Sequence, residues 1–373
     1  MHVLAVLLAW PPTAIGGPIA SAELLRELHR RGHRVTVLSR SEDRRKLDFD
    51  ESGDLSRMDN GIKIMSMRGW RTTLSDRFAD VDVVYAHPDL LNNQMVRPFG
   101  WDTARALDVP LVYALHNVQR ATHVLSRQWA PSMYVWNSES TRAYSELSNE
   151  CVGVVAPPVL RVADHYVAGR DAADCVTLVN VSAAKGSETF FTLAERLPNV
   201  QFLGVRGGYN PQLSKNLPNV ELIGPFKREE MPEKVWARTR VLLMPSQIEA
   251  WGMSALEAAC CGVPTLATPA AGLVEALGQS GTFIDADDVT GWESELVALL
   301  TQDEHYALRS ADAYVRAHEV ERLSLAAVDR VEAEMLKLVG NPALSRNDWA
   351  QRGWNSSVKT MMTAYDAAKL VGA

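Results

Sequence analysis

Residues 244–276 read MPSQIEAWGMSALEAACCGVPTLATPAAGLVEA. The apolar run RVLLMPS (240–246) ends at a Pro-Ser pair, as a buried strand does. MSALEAACC (253–261) is a small-residue helical pattern stopped by Gly262 and Pro264, and VPTLATP supplies the next apolar run. The stretch therefore predicts a strand, a loop over Glu249–Gly252, a helix and a second strand. Two carboxylates, Glu249 and Glu257, flank the turn. Amides at Gly252, Met253 and Ser254 open the helix, where unsatisfied N–H groups and the helix dipole favour an anion such as a diphosphate. Glu257 lies about one turn further on, suited to accept hydrogen bonds from a pair of ribose hydroxyls. A glutamate near a helix start also serves as a cap or a surface charge, and the spacing alone does not decide between these uses.

The same alternation runs outward in both directions. HVLAVLLAW (2–10), HRVTVLSR (33–40), VDVVYAH (81–87), VPLVYALH (109–116) and MYVWNS (133–138) are short strand-like runs, and ASAELLRELHRRG (20–32) is helical. After the Pro-containing stretch Cys151–Gly169 the pattern restarts with DCVTLVNVS (174–182), VQFLGVRG (200–207) and NVELIGPF (219–226). Strands alternating with helices predict parallel sheets. The expected architecture is α/β, with two doubly wound, Rossmann-like domains over 1–158 and 170–340 facing one another across a cleft. Ligands of such sheets bind at the carboxyl ends of the strands. The tail Ser345–Ala373, with Trp349, Trp354 and Tyr365, reads as helical and is expected to pack back on the first domain.

Composition places the chain among ordinary globular proteins: 373 residues, 47% hydrophobic and 22% charged. Residues 1–160 hold 18 basic and 18 acidic side chains and residues 161–373 hold 20 and 27, so the second half carries the whole net charge of −7. That balance argues against generic nucleic-acid affinity. RELHRRGHR (Arg26–Arg34) is a local basic cluster, either a solvated helix face or a contact for an anionic membrane surface or acceptor. The apolar start is short, has no basic flank and meets Pro11-Pro12, unlike a signal peptide or membrane span. Cys151, Cys175, Cys260 and Cys261 form no CxxC pair and read as reduced core thiols. A cytoplasmic location is expected, with peripheral membrane contact left open.

The pattern PSxxEAWGxxxxEAxxxGxP (245–264) resembles the E-x7-E signature of the retaining glycosyltransferases of family 4 (group 1), which have the GT-B fold. IGGPIASAELLRELHRRGHRVTVLSR (15–40), YALHNVQ (113–119), WNSES (136–140), APPV (156–159), the run 178–208 and LPNVELIGPF (217–226) resemble that family's other landmarks in order. The resemblance implies that Lys185 binds the donor diphosphate, Glu249 sits near the transferred sugar and Glu257 binds ribose. It also implies that Phe226 marks the loop at the nucleobase and that His116 faces the sugar. Where the family often has an arginine, this chain offers Asn180. Either Arg206 in the next loop assists with the diphosphate or Lys185 and the helix amides suffice. Gly16-Gly17, in a strand-to-helix turn, permits close approach to a ligand. His87 ends another strand and is a second candidate beside the cleft, although a His-Pro pair also simply turns the chain. Arg120, His123 and Arg127 are spaced to share a helical face and line an acceptor pocket, unless that face is merely solvated.

The expected activity is transfer from a nucleoside-diphosphate sugar, UDP- or GDP-linked, to a hydroxyl acceptor of open class. A nucleotide-sugar epimerase or a non-catalytic nucleotide-sugar-binding subunit are the alternatives. No obligatory cofactor or metal is expected. Asp80–Asp82 fits D-x-D but leads into a strand, and Asp285–Asp287 belongs to an acidic loop.

Overall fold

The computed structural model describes residues 1–13, 16–40, 47–51, 55–66, 77–87, 99–119, 122–123, 126, 131–145, 152–208 and 210–341. In chain order the first part runs β1 (His2–Leu7), α1 (Gly16–Arg30), β2 (Arg34–Ser39), β3 (Asp48–Phe49), β4 (Leu55–Asp59), β5 (Ile62–Ser66) and β6 (Val83–Ala86). It continues with α2 (Phe99–Leu107), β7 (Leu111–Leu115), β8 (Met133–Trp136), α3 (Glu139–Tyr144) and β9 (Gly153–Val155). The second part runs α4 (Val162–His165), β10 (Cys175–Val179), α5 (Ser187–Arg196), β11 (Phe202–Val205), β12 (Val220–Ile223), β13 (Thr239–Met244) and α6 (Met253–Ala259). Then come β14 (Thr265–Ala267), α7 (Ala271–Leu277), β15 (Gly281–Phe283), α8 (Val289–Thr301) and α9 (Asp303–Val339).

Among the described residues the strands form two sheets, ordered β3-β4-β5-β2-β1-β6-β7-β8-β9 and β12-β11-β10-β13-β14-β15. From β5 to β9 the first sheet is parallel, and so is the whole second sheet. β10, β11 and β12 lie on one side and β13, β14 and β15 on the other, the doubly wound order whose ligand site lies where the winding reverses. That point falls between β10 and β13. In the first sheet it falls between β1 and β6. Both faces of each sheet are covered, so the strands are near-continuous apolar runs rather than alternating ones: β1, β7 and β13 are buried along most of their length.

Two features go beyond the sequence reading. β4 and β5 pair antiparallel at the edge of the first sheet, joined through Asn60-Gly61 at φ of 48° and 84°. The other is a helix that crosses between the domains. Ala327, Val328, Val331, Met335 and Leu338 of α9 lie in the core of the first domain with β1, β2 and α1. The final turns of a helix within the 170–340 stretch thus pack against the other domain, the role expected of 345–373, which lies outside the described residues. Cys175, Cys260 and Cys261 are free and buried, while Cys151 lies outside them. No helix among the described residues is long and apolar enough to cross a membrane.

Candidate active site at the domain junction

Lys185 and Glu249 meet at the reversal point of the second sheet. β10 leads into a short 3-10 turn, Ala183–Lys185, and β13 leads into the loop ending at Gly252. The turn closes at Gly186, whose φ is +77° and where a Cβ would stand 2.4 Å from the Pro245 carbonyl oxygen. Only glycine lets the two loops lie this close. The Lys185 ammonium there forms an ion pair with Glu249, both side chains being largely buried. Gly252, at φ +102°, precedes α6 with no side-chain cap, and Met253 and Ser254 form its first turn. Their amides are among the first-turn donors a helix leaves without an intrahelical acceptor.

Glu257, on α6, is engaged by a residue the sequence reading passed over. Arg228 donates from Nε to Glu257 Oε1 at 2.9 Å and places Nη1 3.1 Å from Oε1 of Glu23, on α1 of the first domain. All three side chains are under one-fifth exposed. Burial alone would lower the Arg228 pKa; the charges of Glu257 and Glu23 more than offset it and leave the guanidinium raised. Arg228 and Glu257 line a small pocket with Pro158, Leu160, Trp251 and Met253. Two further contacts tie the halves together. Ser138 Oγ donates to the Ala250 carbonyl at 2.8 Å, beside Glu249, and the Glu275 carboxylate accepts from the amides of Glu139 (2.7 Å) and Ser140 (3.0 Å).

On the first domain, Gly16 and Gly17 open α1 at the reversal point after β1. A Cβ at Gly16 would lie 3.8 Å from Met253 Sδ of the other domain, and one at Gly17 would lie 3.7 Å from His116 Cβ and 3.8 Å from His87 Cε1. The glycine turn, both histidines and α6 are thus brought together. His87 and His116 stand edge to face, 4.9 Å between ring centroids. Their shared partner is Ser21, wholly buried on α1, with Oγ 2.5 Å from His87 Nε2, 3.0 Å from His116 Nε2 and 2.9 Å from the Tyr85 hydroxyl. Burial lowers the His116 pKa to about 4. Burial, with the charge of His116 adding, pushes that of His87 well below its ordinary value. Both rings are neutral at pH 7.

Other candidates fall elsewhere. Asn180 is buried in left-handed conformation at φ 67°, and its Oδ1 accepts from Gln212 Nε2 at 2.8 Å beneath the loop after β11. Arg206 is exposed and donates to the Leu222 carbonyl at 3.1 Å, with no bond to the Lys185–Glu249 pair among the described residues. The arginine at the junction is Arg228 instead. Phe226 is half-buried under the Lys234 ammonium, 4.8 Å from its ring centroid. His123, expected to line an acceptor pocket, is 1% exposed, with Nε2 2.7 Å from the Asn117 carbonyl oxygen, so packing has taken its ring out of solvent. Arg120 and Arg127 lie outside the described residues.

The basic cluster Arg26–Arg34 is not an open patch. Arg26 pairs with Glu23 and Asp59, Arg30 with Glu27, Arg31 with Glu27, Asp329 and Glu332, His33 with Glu332 and Arg34 with Asp80. Docking of α9 supplies partners of Arg31 and His33, and the other members of the cluster pair within the first domain. Asp80 and Asp82 are spent locally: Asp80 on Arg34, Asp82 on the amide of His2 at 2.6 Å.

The family model described as Glycosyltransferase Family 4 matches residues 16–157, and that described as Glycosyl transferases group 1 matches residues 180–302. The D-inositol 3-phosphate glycosyltransferase of Corynebacterium jeikeium is 34% identical over 87 residues, 23% of this chain and 20% of that protein. That of an Arthrobacter species is 40% identical over 67 residues, 17% of this chain and 16% of that protein. The matched stretch spans a fifth or less of these relatives' length. Sucrose-phosphate synthase of Thermosynechococcus elongatus superposes with a TM-score of 0.68 at 14% identity, over 91% of this chain and 99% of that one. Anabaena HepE in complex with UDP and glucose gives 0.66 at 16%, over 90% and 99%. At these identities the likeness establishes the fold.

Proposed function

The chain belongs to the group 1, family 4 glycosyltransferases of the GT-B fold, and on that premise we propose that it transfers a glycosyl group from a nucleoside-diphosphate sugar to an acceptor hydroxyl with retention of anomeric configuration. The observation that carries this reading is the meeting of Lys185 and Glu249 at the sheet's reversal point, with Glu257 on the helix that follows.

In the free protein Glu249 pairs with the Lys185 ammonium and holds it in place. A bound diphosphate then shares that ammonium together with the amides near Gly252–Ser254, while the ribose hydroxyls donate to Glu257. The loop at Phe226 faces the base. As the bond from the anomeric carbon to the diphosphate oxygen breaks, negative charge collects on that oxygen. Each preorganised donor aimed at it contributes roughly 3–4 kcal/mol. The acceptor oxygen forms its bond on the same face and its proton passes to the departing phosphate oxygen. Glu249 orients the sugar, and His116 its hydroxyls. Lys185 and the amides meet the leaving charge, so the scheme needs no resident metal. HepE's complex with UDP-glucose makes uridine sugars the first donors to try, and guanosine sugars the second.

The test is to incubate the pure protein with UDP- and GDP-sugars, with and without alcohol and sugar acceptors, and read the product's anomeric proton by NMR. Acceptor-dependent release of nucleoside diphosphate, with the donor's configuration kept, is expected. An inverted product, or a new sugar nucleotide formed without acceptor, would overturn the reading.

A further inference from the structure

Ser21 Oγ has one proton to give and two lone pairs to offer, yet it stands within hydrogen-bond distance of three groups: Tyr85, His87 and His116. Two of the three must therefore donate to it. Tyr85 is wholly buried and its hydroxyl lies 2.9 Å from Ser21, so the phenol donates there rather than leave a buried O–H unmade. Ser21 is then left to receive one imidazole N–H and to give its own proton to the other ring. Of the two ring contacts the longer, 3.0 Å to His116, has the length of an N–H donating to oxygen, which leaves the Ser21 proton for His87. His116 Nδ1, the remaining nitrogen of that ring, is buried with no hydrogen-bond partner among the described residues.

We propose that Ser21 is a positioning residue that holds His87 and His116 in opposite tautomers, with His116 protonated at Nε2, so that its Nδ1 lone pair accepts a hydrogen bond from a hydroxyl of the bound sugar. Because burial keeps both rings neutral at pH 7, the tautomer rather than the charge decides what each ring offers. Gly17, with no Cβ against either ring, leaves room for a ligand beside them. The tautomer assignment rests on the geometry of the free protein; its use by a sugar hydroxyl rests on the transfer reading above. A donor lacking that hydroxyl, or carrying it as a methyl ether, leaves Nδ1 unpaired and is discriminated against.

The experiment is two-bond 1H–15N correlation spectroscopy of the full chain labelled at histidine, free of ligand at pH 7, with His87→Gln and His116→Gln variants for assignment. His116 is expected as the Nε2–H form and His87 as the Nδ1–H form. Two rings in the same tautomer, a charged ring, or His116 protonated at Nδ1 would overturn the proposal. Ser21→Ala should scramble both tautomers and lower kcat on the order of tenfold or more with nucleotide affinity unchanged, and Ser21→Thr, which keeps the hydroxyl, should restore both. Unchanged spectra and kcat in Ser21→Ala count against a positioning role. If that variant does not fold, the wild-type spectrum decides. The expected spectrum with no nucleotide sugar turned over would sink the transfer reading and leave the tautomer assignment standing.

Discussion

At Gly186 the backbone is left-handed and the Pro245 carbonyl occupies the space a Cβ would need. Gly186→Ala is therefore expected to cost about 2 kcal/mol, read by urea unfolding, and to part Lys185 from Glu249, read as weakened nucleotide binding. Full stability and affinity in that variant would show that the loops are not held by this contact. His116 yields a pH prediction whose sign follows from its folded pKa of about 4, below the ordinary 6.5. Between those values the unfolded chain binds a proton that the native one does not, so the contribution is complete above pH 6.5 and falls away as pH drops toward 4. The melting temperature of the wild type should fall more between pH 7 and pH 5 than that of His116→Gln, and equal slopes would contradict a buried neutral ring. Glu249 and Glu257 could be singled out because both stand in one strand-loop-helix stretch, and Lys185 because the loop around it resembles the family's. Ser21 and Arg228 could not. Each looks like any polar residue of a helix or turn until its partners, 64 to 95 positions away for the Ser21 cluster, are brought to it.

Among the elements, α9 links the two halves through apolar side chains at one end. Met335, wholly buried in the first core, is the anchor to test: Met335→Ala should cost about 2–5 kcal/mol by urea unfolding, with its effect on the first domain. A loss well under 1 kcal/mol would mean that the last turns of α9 are not part of that core. The parallel strands and their order of appearance were legible from alternation, since strands buried on both faces are written as unbroken apolar runs. The β4–β5 hairpin was overlooked, although Asn60-Gly61 is the residue pair that a two-residue hairpin turn demands. The docking of α9 was not read from the sequence, because its apolar positions beyond residue 326 are diluted by charges. Those charges serve the same docking, since Asp329 and Glu332 meet Arg31 and His33. Arg31 and His33 thus face α9, while Arg30 keeps about half of its side chain exposed.

At the scale of the molecule, the sites of the two domains are joined by Arg228 bridging Glu257 to Glu23, by Glu275 on the amides that open α3, and by Ser138 on the loop of Glu249. Arg228→Met would leave Glu257 without this partner in a largely dry setting, a change expected to cost about 3 kcal/mol in thermal unfolding. An effect near zero would indicate that water already compensates the bridge. The central claim, that the reversal point of the second sheet is a nucleotide-diphosphate site, is tested most directly by thermal stabilisation of the pure protein. A panel of nucleotides and nucleotide sugars is compared across the wild type, Lys185→Ala and Glu257→Ala. Ligand at a hundred times its Kd adds about 2.7 kcal/mol. The account predicts that one nucleoside diphosphate raises the melting temperature of the wild type and that both variants lose the shift. No shift in the wild type with any nucleotide, or an undiminished shift in both variants, would contradict it.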